Sequence, residues 1–128
     1  MSHVQFFQAL ADETRLRMIL LLATGRELAV CEMVQALQES QPKVSRHLAY
    51  LREARLVDMR RRAQWVLYRL ADDLAPWQRR AIEATKAGLA HLAPFAEDAS
   101  RLAAQGGTNG PDCGEAAADP GKAGLPAS

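Results

Sequence analysis

A mainly α-helical fold carrying one small β-hairpin is what the sequence predicts, and three observations lead there. Two short amphipathic segments, 28–38 and 41–54, are separated by the polar break Glu39-Ser40-Gln41-Pro42. The stretch that follows, VDMRRRAQWVLYRL at 57–70, abandons helical spacing for alternation. Basic side chains gather on the second segment and on that alternating stretch. A helix-turn-helix followed by a basic hairpin is a winged helix-turn-helix, expected here as a homodimer because such readers bind paired half-sites.

Taken in order, residues 3–10 are expected to form a short helix with Phe6, Phe7 and Leu10 apolar. Asp12 can cap the next helix, 13–24, whose stripe is Leu16, Ile19, Leu20 and Ala23, with Gly25 as its stop. In 28–38, Val30, Met33, Val34 and Leu37 recur at three- and four-residue spacing. Ser40 or Gln41 can cap the following helix, and Pro42 suits a first turn, where its missing N–H is not needed. That helix turns Val44, Leu48 and Leu51 inward. It leaves Gln41, Lys43, Ser45, Arg46 and His47 outward, short polar and cationic side chains that suit a major groove. The plain alternative is an ordinary helix pair with a solvated polar face.

In the alternating stretch Trp65 and Leu67 face one way and Val66, Tyr68 and Leu70 the other, so two strands should meet in a turn near 61–64. Arg60, Arg61 and Arg62 would then form a cationic tip, unless their charge only guards an edge strand. Pro76 opens a helix to about residue 92. Its stripe Trp77, Ala81, Ala84, Gly88 and Leu92 is expected to pack against a second subunit, or else back onto its own domain. From Gly106 the composition turns to Gly, Pro, Ala and acidic residues, too poor in apolar area to fold. The expected organisation is a DNA-binding and dimerisation domain at 1–95 and a disordered tail at 96–128.

The net charge of +1 conceals a strong asymmetry. Residues 41–69 hold eight basic and two acidic side chains, whereas 1–40 hold three against five and 70–128 hold five against eight. That is the footprint of a phosphate-binding surface on an acidic body. No Gly-rich phosphate loop or Ser/His/Asp set is present, so no enzyme is expected. Two cysteines, Cys31 and Cys113, make no disulfide framework. No segment has the layout of a signal peptide or a membrane span, and a cytoplasmic protein is expected. His3, His47 and His91 are isolated and read as surface or packing residues.

The segments EL-x-VC at 27–31, ALQESQPKVSRHLAYLREARLV at 36–57 and WVLYRL at 65–70, followed by Pro76-Trp77, resemble the arsenical-resistance repressors of the ArsR/SmtB family. The resemblance covers about residues 3–95. It implies a homodimer that binds double-stranded operator DNA and releases it when a soft metalloid binds. It places base contacts at Gln41, Lys43, Ser45, Arg46 and His47, and groove or backbone contacts at Arg60, Arg61 and Arg62. The family often has Gly in the wing turn, where this chain has Ala63. Arsenite-sensing members carry CVCxxC at the start of the first motif helix. Here Ala29, Cys31 and Val34 stand at those positions, so only the middle cysteine remains. The carboxylate and imidazole pattern of zinc-sensing members is absent around Asp72 and His91.

Trivalent arsenic prefers thiolate. Cys31 and Cys113 offer two sulfurs per chain and four per dimer, which leans toward a two-thiol ligand or a site shared between chains. The expected inducer is a trivalent arsenical or antimonite, with no cofactor required. A metalloid bridge at Cys31 would tilt or unwind the helix that supports the reading helix. Other readings stay open. Cys31 can be a small buried residue and Cys113 incidental, or the pair can form a redox-sensitive disulfide in a regulator with no metalloid site. A third possibility is an interaction module whose basic face meets an acidic protein.

Overall fold

The computed structural model describes residues 2–105. Its elements are α1 (His3–Leu10), α2 (Glu13–Leu22), α3 (Val30–Leu37), α4 (Gln41–Glu53), β1 (Val57–Arg62), β2 (Trp65–Leu70), α5 (Pro76–Leu89) and α6 (Phe95–Ala104). The order is that of a winged helix-turn-helix, with α3 and α4 as the motif and the hairpin as the wing. No helix among the described residues is long and apolar enough to cross a membrane.

Local chemistry sets the boundaries. The Ser2 hydroxyl accepts from the Gln5 backbone N–H while the Gln5 side chain accepts from Ser2 N–H, a reciprocal cap that starts α1. Asp12 accepts from Arg15 N–H at 3.0 Å and starts α2. Helix α2 stops at Leu22, two residues earlier than its stripe suggests, and Gly25 then takes φ +90° in the connection. Ser40 caps α4 with Pro42 in its first turn. Gln38 at φ 56° ends α3, and Arg55 at φ 63° ends α4. The left-handed conformation at Gln38 turns the chain sharply between α3 and α4, so the motif helices do not continue one another, and that at Arg55 turns it from α4 toward the hairpin.

Helix α2 is the central element. Met18, Ile19, Leu20, Leu21 and Leu22 are all buried, and α2 packs on every other helix and on β2. Around it lie Phe6 and Ala9 from α1, Met33 and Leu37 from α3, and Val44, Leu48 and Leu51 from α4. Val57, Val66, Tyr68 and Ile82 complete the wall.

The hairpin pairs Val57 with Leu70 through Arg62 with Trp65, leaving Ala63 and Gln64 as a two-residue turn. Ala63 adopts φ 55°, so the left-handed conformation that glycine adopts freely is taken here by a residue with a Cβ. The hairpin is extended on its other edge. Leu28 N–H donates to Tyr68 O at 2.9 Å and Tyr68 N–H donates to Leu28 O at 2.8 Å, so the segment entering α3 is tied to β2 by a one-residue antiparallel bridge.

The boundary expected at residue 95 falls one helix too early. Residues 95–104 form α6, which lies along α3 and α2 with Leu102 and Asp98 buried. Asp98, 1% exposed, receives two hydrogen bonds from Arg17 of α2 at 2.7 and 2.8 Å. Arg17 also donates to Leu37 O at 2.8 Å, and Arg101 donates to Ala36 O at 2.8 Å. The carbonyls left over at the end of α3 are thus satisfied by arginines from two other helices. Pairing with Asp98 holds the Arg17 guanidinium above its ordinary pKa despite burial. Residues 106–128 lie outside the described part of the chain.

A buried pair stripped of one partner leaves an uncompensated charge. Asp98→Ala should therefore destabilise the fold by about 3–5 kcal/mol, read as a lowered urea midpoint. A midpoint unchanged from wild type would show that α6 is not integral to the core.

Candidate nucleic-acid interface

One face of the first two turns of α4 points away from the core, but not every polar side chain expected there points outward. Arg46 is exposed and makes no ion pair among the described residues. Lys43 reaches Glu39 at 3.1 Å across one helical turn and keeps a partly exposed ammonium. Gln41 is half-buried at the helix start. Ser45 is the first departure from the expected outward set: its hydroxyl is buried and has no hydrogen-bond partner among the described residues. Val44 is fully buried beside it, and a 100° step per residue leaves Ser45 on the margin of the buried stripe.

His47 is the second departure. It leans against the start of α2, with Nδ1 3.4 Å from an Arg15 nitrogen and Nε2 3.9 Å from Asp12. Burial lowers its pKa below the ordinary 6.5. Asp12 pulls the other way, while Arg15, Arg46 and Lys43 reinforce the lowering. The Asp12 carboxyl is itself held below its usual value. Burial opposes this, but the Arg15 N–H, the charges of His47 and Arg15, and the Thr14 N–H outweigh it.

Arg15 was not singled out by sequence, yet it joins three elements. Its Nε donates to Ala9 O at 2.8 Å and a terminal nitrogen to Gln8 O at 3.3 Å, closing the C-terminal end of α1. The same guanidinium lies 3.9 Å from the centroid of the Tyr50 ring on α4. Tyr50 is 42% exposed and one turn beyond Arg46 on the same stripe, which makes it a further candidate for a backbone contact. Its signal in the sequence was the Lys43, Arg46, Tyr50 spacing.

The three wing arginines are divided by the hairpin. The register places Arg60 opposite Leu67 and Arg62 opposite Trp65 on one face, and Arg61 opposite Val66 on the other. Arg60 forms a two-point contact with Glu27, Nε to Oε2 at 2.8 Å and a terminal nitrogen to Oε1 at 3.2 Å. Arg62 at 3.5 Å and Arg69 at 3.8 Å approach the same carboxylate. The wing therefore stays cationic, but its charge is partly gathered by a residue from the connection before α3.

Cys31 sits in the first turn of α3, half-buried, and is not a free thiol here. Cys113, the second expected sulfur ligand, lies outside the described residues. Among the described residues no group of three or more His, Cys, Asp or Glu side chains could hold a metal ion. The first turn of α3 is nevertheless well organised. Glu32 is buried, accepts from Ala29 N–H at 2.9 Å and pairs with Arg26 at 3.4 Å.

The stripe on α5 is only partly sealed within the chain. Trp77 is 41% exposed and packs edge-on against Phe6 at 5.1 Å between ring centroids, with Phe7 at 6.0 Å. Ala81 packs against the core, while Ala84, Gly88 and Leu92 are exposed. A Cβ built on Gly88 would meet nothing within 4 Å, so no close approach inside this chain requires glycine there.

Comparison with known proteins places these features in a family. Residues 12–59, from the cap of α2 into the wing, match the family model described as bacterial regulatory protein, arsR family. The chain is 48% identical over 102 residues to the arsenic resistance transcriptional regulator ArsR1 of Pseudomonas putida KT2440, covering 78% of this chain and 77% of that protein. It is 49% identical over 80 residues to the arsenical resistance operon repressor of Escherichia coli K12, covering 62% of this chain and 68% of that one. Among solved structures, it is similar to the homodimeric winged helix-turn-helix DNA-binding domain of Mb0332 from Mycobacterium bovis. The TM-score is 0.57 at 26% identity, over 70% of this chain and 83% of the other. With the motif helices, the paired hairpin and near-half identity over most of a relative's length in agreement, the chain belongs to the arsR family of bacterial regulatory proteins.

Proposed function

We propose that this protein is a dimeric transcriptional repressor that holds operator DNA in its free state and is released by a trivalent arsenical or antimonite. The observation that carries the DNA-binding part is α4, a capped helix with Arg46 exposed and unpaired among the described residues, flanked by a cationic hairpin. Likeness to two arsenic-resistance regulators supports the inducer class. In this reading Arg46 reads a base edge. Gln41 and Lys43 position the helix on the backbone, and Ser45 and His47 belong to its supporting contacts more than to its reading face. Arg60, Arg61 and Arg62 supply phosphate contacts.

Dimerisation is assigned to the face of α1 and α5. Val4 and Phe7 at 54% exposure and Trp77 at 41% form a contiguous apolar surface around one ring cluster. A two-fold axis there can set two α4 helices about 34 Å apart. The Arg15 contacts join that face to α4, so the half-site spacing depends on a chain of short-range contacts.

In the reduced protein Cys31 would supply a thiolate to a soft inducer, from the first turn of the helix that packs behind α4. Cys113 is the second candidate sulfur. A ligand that favours a displaced α3 shifts the protein toward the form that leaves DNA, by no more than its difference in affinity for the two forms. Arsenic must meet reduced sulfur, so the test uses reduced protein. Cys31→Ser should bind the operator as wild type does and remain bound when arsenite, methylarsenite or antimonite releases the wild type. Release of the variant at wild-type inducer concentrations would place the site elsewhere.

Arg46→Ala should cost about 1–3 kcal/mol of discrimination between operator and random duplex. Equal losses on both, measured by fluorescence anisotropy, would make Arg46 a phosphate contact. His47 gives a stability signature. Its folded pKa lies below the unfolded value of 6.5. Above that value the imidazole is neutral in both states. As pH falls through it, the unfolded chain takes up the proton first and stability drops. Thermal melts from about pH 7.5 to about pH 5.5 should show a steeper loss for wild type than for His47→Gln, and identical slopes would contradict the burial.

A further inference from the structure

We propose that Glu27 is a positioning residue for the wing and the link through which displacement of the first turn of α3 reaches DNA. The proposal rests on the reading of Cys31 as the inducer site for its second half only.

One carboxylate collects three wing guanidiniums. Arg60 is held at two points, and Arg62 and Arg69 lie within 4 Å of Glu27. The Glu27 side chain is 17% exposed, while those of Arg60 and Arg62 are 48% and 64% exposed. Each arginine can therefore keep outward N–H groups for phosphate while its base is fixed. Isolated exposed ion pairs contribute little. Here three cations share an anion on a rigid support, because Leu28, the next residue, is bonded to Tyr68 in both directions.

That support leads directly into the first turn of α3. Ala29 N–H is held by Glu32, whose other oxygen faces Arg26. Cys31 lies three residues beyond Leu28. A ligand that moves the turn at Cys31 must disturb the Glu32 contact with Ala29 or carry the whole segment with it. In either case Leu28 shifts against β2 and Glu27 shifts under the arginines. Along the chain the wing is thus reached from Cys31 through Leu28 alone, whereas α4 is joined to it by the packing of α3 against α4 and by the left-handed turn at Gln38.

The sign of one substitution separates positioning from simple charge. Glu27→Ala removes a negative charge from a DNA-facing surface, so electrostatics alone would tighten binding and leave or raise the salt dependence. Positioning predicts the reverse. Operator affinity should fall by about threefold or more, and the slope of log affinity against log salt should lose about one to two units. Glu27→Gln, which keeps the shape, should fall between wild type and Glu27→Ala. Melting temperature and hydrogen exchange at Leu28 and Tyr68 establish that the variants fold.

The second measurement is the ratio of operator affinities without and with methylarsenite, in reduced protein. Glu27→Ala should shrink that ratio by at least about fivefold. Tighter operator binding by Glu27→Ala overturns the proposal. Weaker binding with an unchanged ratio overturns the link to α3. If methylarsenite and arsenite fail to release even the wild type, the inducer assignment fails, while affinity and salt slope still decide the positioning role of Glu27.

Discussion

The buried contact between Arg17 and Asp98 is the constraint on which the arrangement of the other helices depends. It joins the central helix to α6, and through Leu37 O it also fixes the end of α3. Replacing such a pair with apolar residues of similar size is often harmless to stability, so its value here is geometric. A guanidinium has five donors in a fixed plane. Arg17 uses them on a carboxylate, a carbonyl and the more distant Glu39 at 3.4 Å, so one side chain specifies the mutual placement of three segments. Glu39 in turn reaches Lys43 on α4, carrying the same contact network to the edge of the surface proposed to meet DNA.

Helix α3 consequently has two differently anchored ends. Its C-terminal carbonyls are held by arginines from α2 and α6, and Gln105 donates to Glu32 O near its beginning. Its N-terminal approach is part of the sheet through Leu28. An eight-residue helix has little intrinsic stability in water. Its conformation is set from outside by these contacts, which suits the displacement proposed for it.

Much of this was legible in the sequence. The break at Ser40-Gln41-Pro42, the stripe Val44, Leu48, Leu51 and the alternation in WVLYRL specify motif and wing because each rests on a period or a cap that acts locally. The resemblance to the arsR family was legible in the same segments. What was missed involves partners distant in sequence. AEDASRLAA at 96–104 falls in the expected tail, although Asp98 and Leu102 lie on one helical face with Phe95. An acidic residue in that stripe reads as solvated until Arg17, 81 positions away, is placed opposite it. His47 and Ser45 were assigned outward for a similar reason. They stand at the margin of the α4 stripe, and contacts from the start of α2 decide which way His47 goes. The pairing of Arg60 with Glu27, 33 residues apart, could not be foreseen from a cluster of like charges.

On the face proposed for dimerisation, the aromatic cluster of α1 and α5 bears on the thermodynamics of assembly. Phe6 is wholly buried and sits 5.0 Å from Phe7 and 5.1 Å from Trp77, each in an edge-on arrangement. The two half-exposed rings are therefore already held in place by a third before any second copy arrives. The rotamer entropy of large interface side chains, about 0.5–1.5 kcal/mol for each one immobilised, is largely surrendered when the single chain folds. Association then draws mainly on rigid-body freedom and on releasing water from a surface whose shape does not change.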